Sequence, residues 1–223
     1  MNDVQEKFTA IHASNHWREG DGESVSGSGS EISQTGVLIT HLALFMNMAG
    51  IKTVVDWPCG DMNYQLPIVM MAEKYIGIDI VPDLITKNTE KFKEHTNASF
   101  EVGDIINDEI PECDLLIIRD CFVHLPVDMV FKAMANIMKS KVRYVGITTF
   151  VDRDGESEDD TVNWRKPEFW RPINMMAEPY ELPCPWYMIV ENCTEGEFCE
   201  YYDKSLGIWD VQLLNMMADH LNP

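Results

Sequence analysis

The chain has 223 residues, 45% hydrophobic and 24% charged, the proportions of a folded globular domain rather than of a disordered or fibrous chain. Lys and Arg number 17 against 37 Asp and Glu, a formal charge of −20; a surface this acidic repels phosphate backbones and anionic membranes, which disfavours nucleic-acid and membrane partners. No stretch reaches the roughly 18 uninterrupted apolar residues of a membrane span, and the start lacks a basic region followed by an apolar run, so no secretory signal is expected.

The first 35 residues differ from the rest. Ser24 to Ser30 is a run of small residues with little to bury, while Ile11, Trp17 and Ile32 around it suggest a segment that folds back on the domain as a lid rather than a plain linker. Val37, Leu38, Leu42, Leu44, Phe45 and Met48 mark one broad helical face over 34–48, and Gly50 stops it. An alternation follows. Strands are expected at 53–57, 75–80, 98–102, 114–119 and 142–150, with helices at 66–74, 83–95 and 127–140. Near-continuous apolar strands separated by helices imply a parallel sheet covered on both faces. Residues 152–160 carry six acids and read as a solvated loop. The stretch 163–185 is rich in Trp, Arg and Pro without periodicity. Two closing strands are expected at 186–190 and 200–202, then a terminal helix over 208–221.

Cys59, Cys113, Cys121, Cys184, Cys193 and Cys199 form no C-x-x-C pair and no zinc spacing. The expectation is a reduced, cytoplasmic protein organised by neither metal nor disulfides.

In an open parallel sheet, ligands bind outside the carboxyl ends of the strands. Four successive strand ends here bring acids to that rim: Asp56 with Cys59-Gly60-Asp61, then Asp79, then Gly103-Asp104-Ile105, then Arg119-Asp120. A single acid there is an ordinary turn or cap residue; four in series point to a ligand. The 23-residue spacing from Asp56 to Asp79 suits an acid that accepts from a ribose diol. No G-x-G-x-x-G is present, and an acidic turn suits a pyrophosphate poorly. It suits a nucleoside that lacks phosphate and carries a positive centre, as S-adenosylmethionine does.

Taken together, Val54-Val55-Asp56-Trp57-Pro58-Cys59-Gly60-Asp61, Tyr75-Ile76-Gly77-Ile78-Asp79, Gly103-Asp104-Ile105 and Arg119-Asp120-Cys121-Phe122-Val123-His124-Leu125 resemble the class I, Rossmann-like S-adenosylmethionine-dependent methyltransferases. More narrowly, the chain resembles a bacterial-type group with an S-G-x-G-S stretch before the first helix (Ser26 to Ser30), R-D-x-x-x-H-L after strand four (Arg119 to Leu125) and W-R-P-x-N after strand five (Trp170 to Asn174). The glycine-rich loop after strand one is reduced to Cys59-Gly60, a departure from the family at large.

The resemblance implies one α/β domain over 1–223: a Rossmann-like, seven-stranded, mostly parallel sheet with helices on both faces, a lid at 1–35 and an acceptor-side insertion at 152–185. It implies S-adenosylmethionine as cofactor, held by Ser28, Asp56, Gly60, Asp61, Asp79, Ile80, Asp104, Ile105 and Arg119. Asp79 would take the ribose hydroxyls, and Asp104 with Ile105 the adenine. His124 or Asp120 would serve as general base for an oxygen or nitrogen acceptor. Trp17, Trp170, Arg171 and Asn174 would contact a small-molecule or saccharide-type acceptor; for the stretch holding the last three, a packed loop with snorkelling basic residues is an equal alternative. Two rivals share the fold: an accessory protein that binds S-adenosylmethionine without turnover, and a nucleotide-dependent oxidoreductase, which the missing phosphate loop disfavours.

Overall fold

A computed structural model describes residues 3–18, 20–156, 163–166 and 169–221. It contains a seven-stranded sheet in the order β3-β2-β1-β4-β5-β7-β6. The strands are β1 (Thr53–Asp56), β2 (Lys74–Asp79), β3 (Ala98–Val102), β4 (Cys113–Ile118), β5 (Val142–Phe150), β6 (Tyr187–Val190) and β7 (Lys204–Asp210). β1 to β5 pair in parallel, while β7 runs antiparallel between β5 and β6. The order reverses between β1 and β4, which opens a crevice at their carboxyl ends.

Register explains the two-sided core. Val54, Leu115 and Tyr144 lie side by side on β1, β4 and β5, and all three belong to one apolar cluster. Their chain neighbours Val55, Leu116 and Val145, also in register, belong to the other. Alternate residues of a strand point to opposite faces, so two-sided burial demands an apolar run without alternation. Helices α2 (Ile32–Ala49), α3 (Leu66–Met71) and α4 (Pro82–Lys91) serve the first cluster, and α5 (Val127–Lys139) and α6 (Val211–Leu221) the second. α2 ends where Gly50 adopts φ 65° and returns its N–H to the Met46 carbonyl, a conformation that only glycine takes freely. In α5, Val127, Val130, Met134 and Ile137 are buried at helical spacing. By length and hydropathy α2 reaches the minimum for a membrane span. Its Thr35, Leu38, Leu42 and Phe45 are buried in the fold, as in a core helix.

The ends of the chain depart from expectation. The closing strand is β7 at Lys204–Asp210, not 200–202, which forms a turn. Lys204 and Ser205 interrupt the apolar pattern yet are buried, because the Lys204 ammonium finds a carboxylate inside the fold. Ile208 and Trp209 pair with Gly146 and Val145 as strand, so α6 begins only at Val211. An additional helix, α1 (Asp3–Ala13), precedes everything, with Val4 and Ile11 buried. In the acidic loop, Glu156 pairs with Arg171 and Tyr180 rather than facing solvent; 157–162 lie outside the described residues.

Leu206, fully buried on β7, packs over Gly146 of β5. Leu206→Ala is expected to lower unfolding free energy by about 2–5 kcal/mol in urea titrations, the cost of a large core truncation. A loss below about 1 kcal/mol would mean that β7 is not packed as described.

Candidate active site at the strand carboxyl ends

The turn after β1 is built around Gly60. Its φ of 56° lies in the left-handed region, and a Cβ there would stand 2.7 Å from Ser26 Oγ. The Gly60 N–H donates to Asp79 Oδ2 at 3.0 Å, and the Val81 N–H donates to Oδ1 at 2.9 Å. One buried carboxylate therefore ties the β1 turn to the end of β2. The same turn fastens the N-terminal segment. Asp61 accepts from Ser24 Oγ at 2.9 Å and the Val25 N–H at 2.7 Å, and its own N–H donates to Ser26 Oγ at 2.9 Å.

Above these turns lies a cavity that opens to solvent at its mouth. Every parallel strand end from β1 to β4 contributes: Gly60 and Asp61, Asp79 and Ile80, Asp104 and Ile105, Arg119 and Asp120. α1 closes it from above with Val4, Phe8 and His12. Helix and cavity wall are joined by Gln5 Nε2 donating to the Ile80 carbonyl at 3.0 Å and by His12 paired with Asp83 at 2.9 Å. Burial pushes Asp79 up to about 6, although the Val81 and Gly60 N–H groups favour its charge. Asp104 accepts from the Ile106 N–H at 3.0 Å and from Asn107 Nδ2 at 2.7 Å.

A second cavity adjoins the first. His16, Ser28, Phe150, Trp170, Glu195, Tyr201 and Lys204 line it, and Trp17, Ser26, Ser30, Asp120 and His124 line both. Those five residues form the seam. Its charges are organised from below. Arg119, buried at the end of β4, donates from Nε to Glu191 Oε1 at 3.1 Å and from Nη2 to Oε2 at 2.7 Å. It also donates to the Gly29 carbonyl at 2.8 Å. Burial opposes its charge, but Glu191 and Asp120 outweigh that and hold the guanidinium protonated. Asp120 adopts φ 52° and meets Lys204 Nζ at 2.7 Å and Arg119 Nη1 at 3.2 Å. Against the effect of burial, these two cations hold its carboxyl well below the usual range.

His124 follows in the turn Phe122–His124. Its Nδ1 lies 3.0 Å from the Phe169 carbonyl. A carbonyl only accepts, so Nδ1 carries the proton and Nε2 keeps its lone pair. Trp17 stacks on the ring at 4.8 Å between centroids. Burial pushes the imidazole down to about 4, so it is neutral at pH 7.

Several expected residues stand elsewhere. Asp56 lies beneath the first cavity without lining it. Its Oδ2 accepts from Tyr75 Oη at 2.6 Å and from Gln65 Nε2 at 3.2 Å, and its Oδ1 is buried without a partner. Ser28 lines the second cavity rather than the first, donating to Glu195 at 2.6 Å. Arg171 lines neither. Its guanidinium is spent on Glu156, Tyr180 and the carbonyls of Val123 and Leu125. Asn174 likewise holds the Arg153 carbonyl at 2.9 Å and accepts from the Met176 N–H at 3.0 Å. As placed, both brace the loop that follows β5 rather than line either cavity. Glu191, Glu195 and Lys204 were absent from the expected set. Their strand and loop positions carry no local motif, and Lys204, between Asp203 and Ser205, gives no sign in sequence of a buried partner.

No family model matches the chain. An uncharacterized RNA methyltransferase from Halalkalibacterium halodurans is 34% identical over 73 residues, which is 32% of this chain and 16% of that protein. The chain thus spans about a sixth of the length of this curated relative. Among solved structures, the N-methyltransferase NodS from Bradyrhizobium japonicum WM9 superposes with a TM-score of 0.57 at 14% identity, covering 80% of this chain and 97% of that one. The magnesium protoporphyrin IX methyltransferase of Synechocystis PCC 6803, with bound S-adenosylhomocysteine, gives 0.53 at 13% identity, over 67% and 72%. The chain has the Rossmann-like fold of these methyltransferases, a mostly parallel seven-stranded sheet flanked by helices.

Proposed function

We propose that the chain is an S-adenosylmethionine-dependent methyltransferase that acts on an oxygen or nitrogen of a small molecule, with 1–35 serving as its lid. The observation that carries this reading is the seam: a cavity at four strand ends shares a wall with a second cavity, and a neutral histidine is among the residues lining both. The residues present fit the cofactor. Asp79 and Asp104 supply acceptors for hydroxyl and amino donors, and Ile80, Ile105 and Phe8 supply apolar walls for a base. Asp61 at the β1 turn, which lines the cavity, suits a ligand with a cationic centre and no phosphate. The curated relative and the two solved structures described above, each named a methyltransferase, support the same reading.

When bound, S-adenosylmethionine supplies an electrophilic methyl group on sulfonium. The chain's task is then to align an acceptor with that carbon, exclude water and receive a proton. His124 is assigned the last role, through Nε2. A base this weak suits a hydroxyl, which becomes strongly acidic as its oxygen takes on a methyl group. Asp120 is assigned a positioning role: two cations already claim its carboxylate, and they depress its basicity.

Calorimetry with S-adenosylhomocysteine tests the first half. Affinity should be micromolar at pH 7.5, about −8 kcal/mol. It should fall as pH drops through about 6, because Asp79 accepts from ligand hydroxyls through its ionised form and protonation there removes acceptor lone pairs. Asp79→Asn should weaken binding at pH 7.5 by about 1.5–3 kcal/mol and reduce that pH dependence. Unchanged affinity in the folded variant would place the ribose elsewhere.

His124→Ala tests the second half. It should cut kcat by about 10²–10⁴-fold, the usual contribution of a general base, with S-adenosylhomocysteine affinity unchanged. A variant that retains full turnover would remove His124 from the chemistry.

A further inference from the structure

The second cavity has walls of two kinds. Trp170, Phe150 and Tyr201 make one aromatic corner, with Trp170 4.9 Å from Tyr201 and 5.7 Å from Phe150 between ring centroids. Trp17, stacked on His124, stands on the seam. Between them run Ser28, Glu195, Asp120 and Lys204. Among the described residues Lys204 is the one Lys or Arg lining this cavity, and it is already committed: its Nζ lies 2.7 Å from Asp120 Oδ2 and 3.6 Å from Glu195 Oε2. The cavity therefore presents aromatic faces and carboxylate lone pairs, with no cation left to receive an anion.

We infer that this cavity is the acceptor site and that it takes an uncharged, hydroxyl-bearing ring, a sugar or a phenol, laid against Trp170 with one hydroxyl at Nε2 of His124. The inference rests on the methyltransferase reading and adds the acceptor's chemistry to it. Flat C–H or π faces pack on aromatic rings, and hydroxyl donors can share the remaining lone pairs of Asp120 and Glu195. In the transfer, the acceptor oxygen forms its bond to the methyl carbon while the C–S bond breaks and its electron pair stays on sulfur. The hydroxyl proton passes to Nε2. Asp120, Glu195 and Lys204 give this cavity one net negative formal charge and no unpaired cation, so a phosphorylated acceptor would add negative charge with nothing to receive it, an arrangement that selects against it. The charge of −20 over the whole chain extends that repulsion to a polyanion such as RNA. An aliphatic amine would arrive as an ammonium, whose proton a histidine pushed down to about 4 cannot remove.

The test is binding to the full chain saturated with S-adenosylhomocysteine, read by ligand-observed NMR and calorimetry. Four probes are compared: methyl glucoside, 4-methylphenol, glucose 6-phosphate and a short RNA oligonucleotide. The first two separate sugar from phenol. At least one of them should bind, and more than about tenfold tighter than either phosphate-bearing probe. Trp170→Ala should weaken that neutral probe by up to about tenfold, the worth of an aromatic contact, while Trp170→Phe largely retains it and S-adenosylhomocysteine affinity stays constant in both. Glu195→Gln should narrow the discrimination against glucose 6-phosphate. The acceptor proposal is overturned if neither neutral ring binds, if a phosphate-bearing probe binds as tightly, or if Trp170→Ala has no effect. Failure of S-adenosylhomocysteine itself to bind would instead bring down the methyltransferase reading, and this proposal with it.

Discussion

The buried guanidinium of Arg119 is the point on which both cavities depend. It joins three parts of the chain that are distant in sequence: the end of β4, the loop after β6 through Glu191, and the Ser-Gly turn through the Gly29 carbonyl. Taking two charges out of water is costly, and only the bidentate geometry and the extra carbonyl offset it. Losing one partner would strand the other's charge, at a cost of about 3–5 kcal/mol for a buried pair. Such a pair adds little net stability compared with apolar packing. Its effect is to hold three cavity walls in one arrangement.

From this pair the electrostatics propagate outward. Asp120 turns back through a left-handed conformation, tolerable for Asp, and its carboxylate meets Lys204 on β7. β7 is thereby able to bury a lysine in the middle of the fold. Lys204 in turn leans on Glu195, which accepts from Ser28. The alternation of signs is closed on itself, so the second cavity inherits carboxylate edges rather than a free cation. His124 sits at the border of this network but donates its Nδ1 hydrogen to the Phe169 carbonyl, which leaves Nε2 with its lone pair.

The N-terminal segment works by a different balance. Its Ser-Gly run buries little apolar area and is held by polar contacts to Asp61, Asn63 and Glu195. α1 and the turn after it bring the apolar component, with Val4 and Phe8 of the helix at the first cavity and Trp17 of the turn against His124. Polar fastening with modest apolar burial suits a cover that has to open for a ligand and then exclude water.

The amino-acid order alone determined the parallel strands, the helices between them and the acids at four strand ends, because those follow from short-range periodicity and turn chemistry, and Val54-Val55 or Leu115-Leu116 carry their two-sided burial in adjacent letters. It also brought out Gly60, whose left-handed turn no bulkier residue fits easily. Tertiary structure decided what depends on partners far along the chain. Lys204 reads as a break in a strand until Asp120 stands beside it. Glu191 and Glu195 read as loop acids until Arg119 and Ser28 reach them. Arg171 and Asn174 resemble ligand contacts in sequence, yet Glu156, Tyr180 and nearby carbonyls consume their hydrogen bonds first. A hydrogen bond or ion pair has no sequence period: which charged side chain is spent on the fold and which is left for a ligand is settled only when segments 70 to 90 residues apart are brought together, as Arg119 is with Glu191 and Gly29.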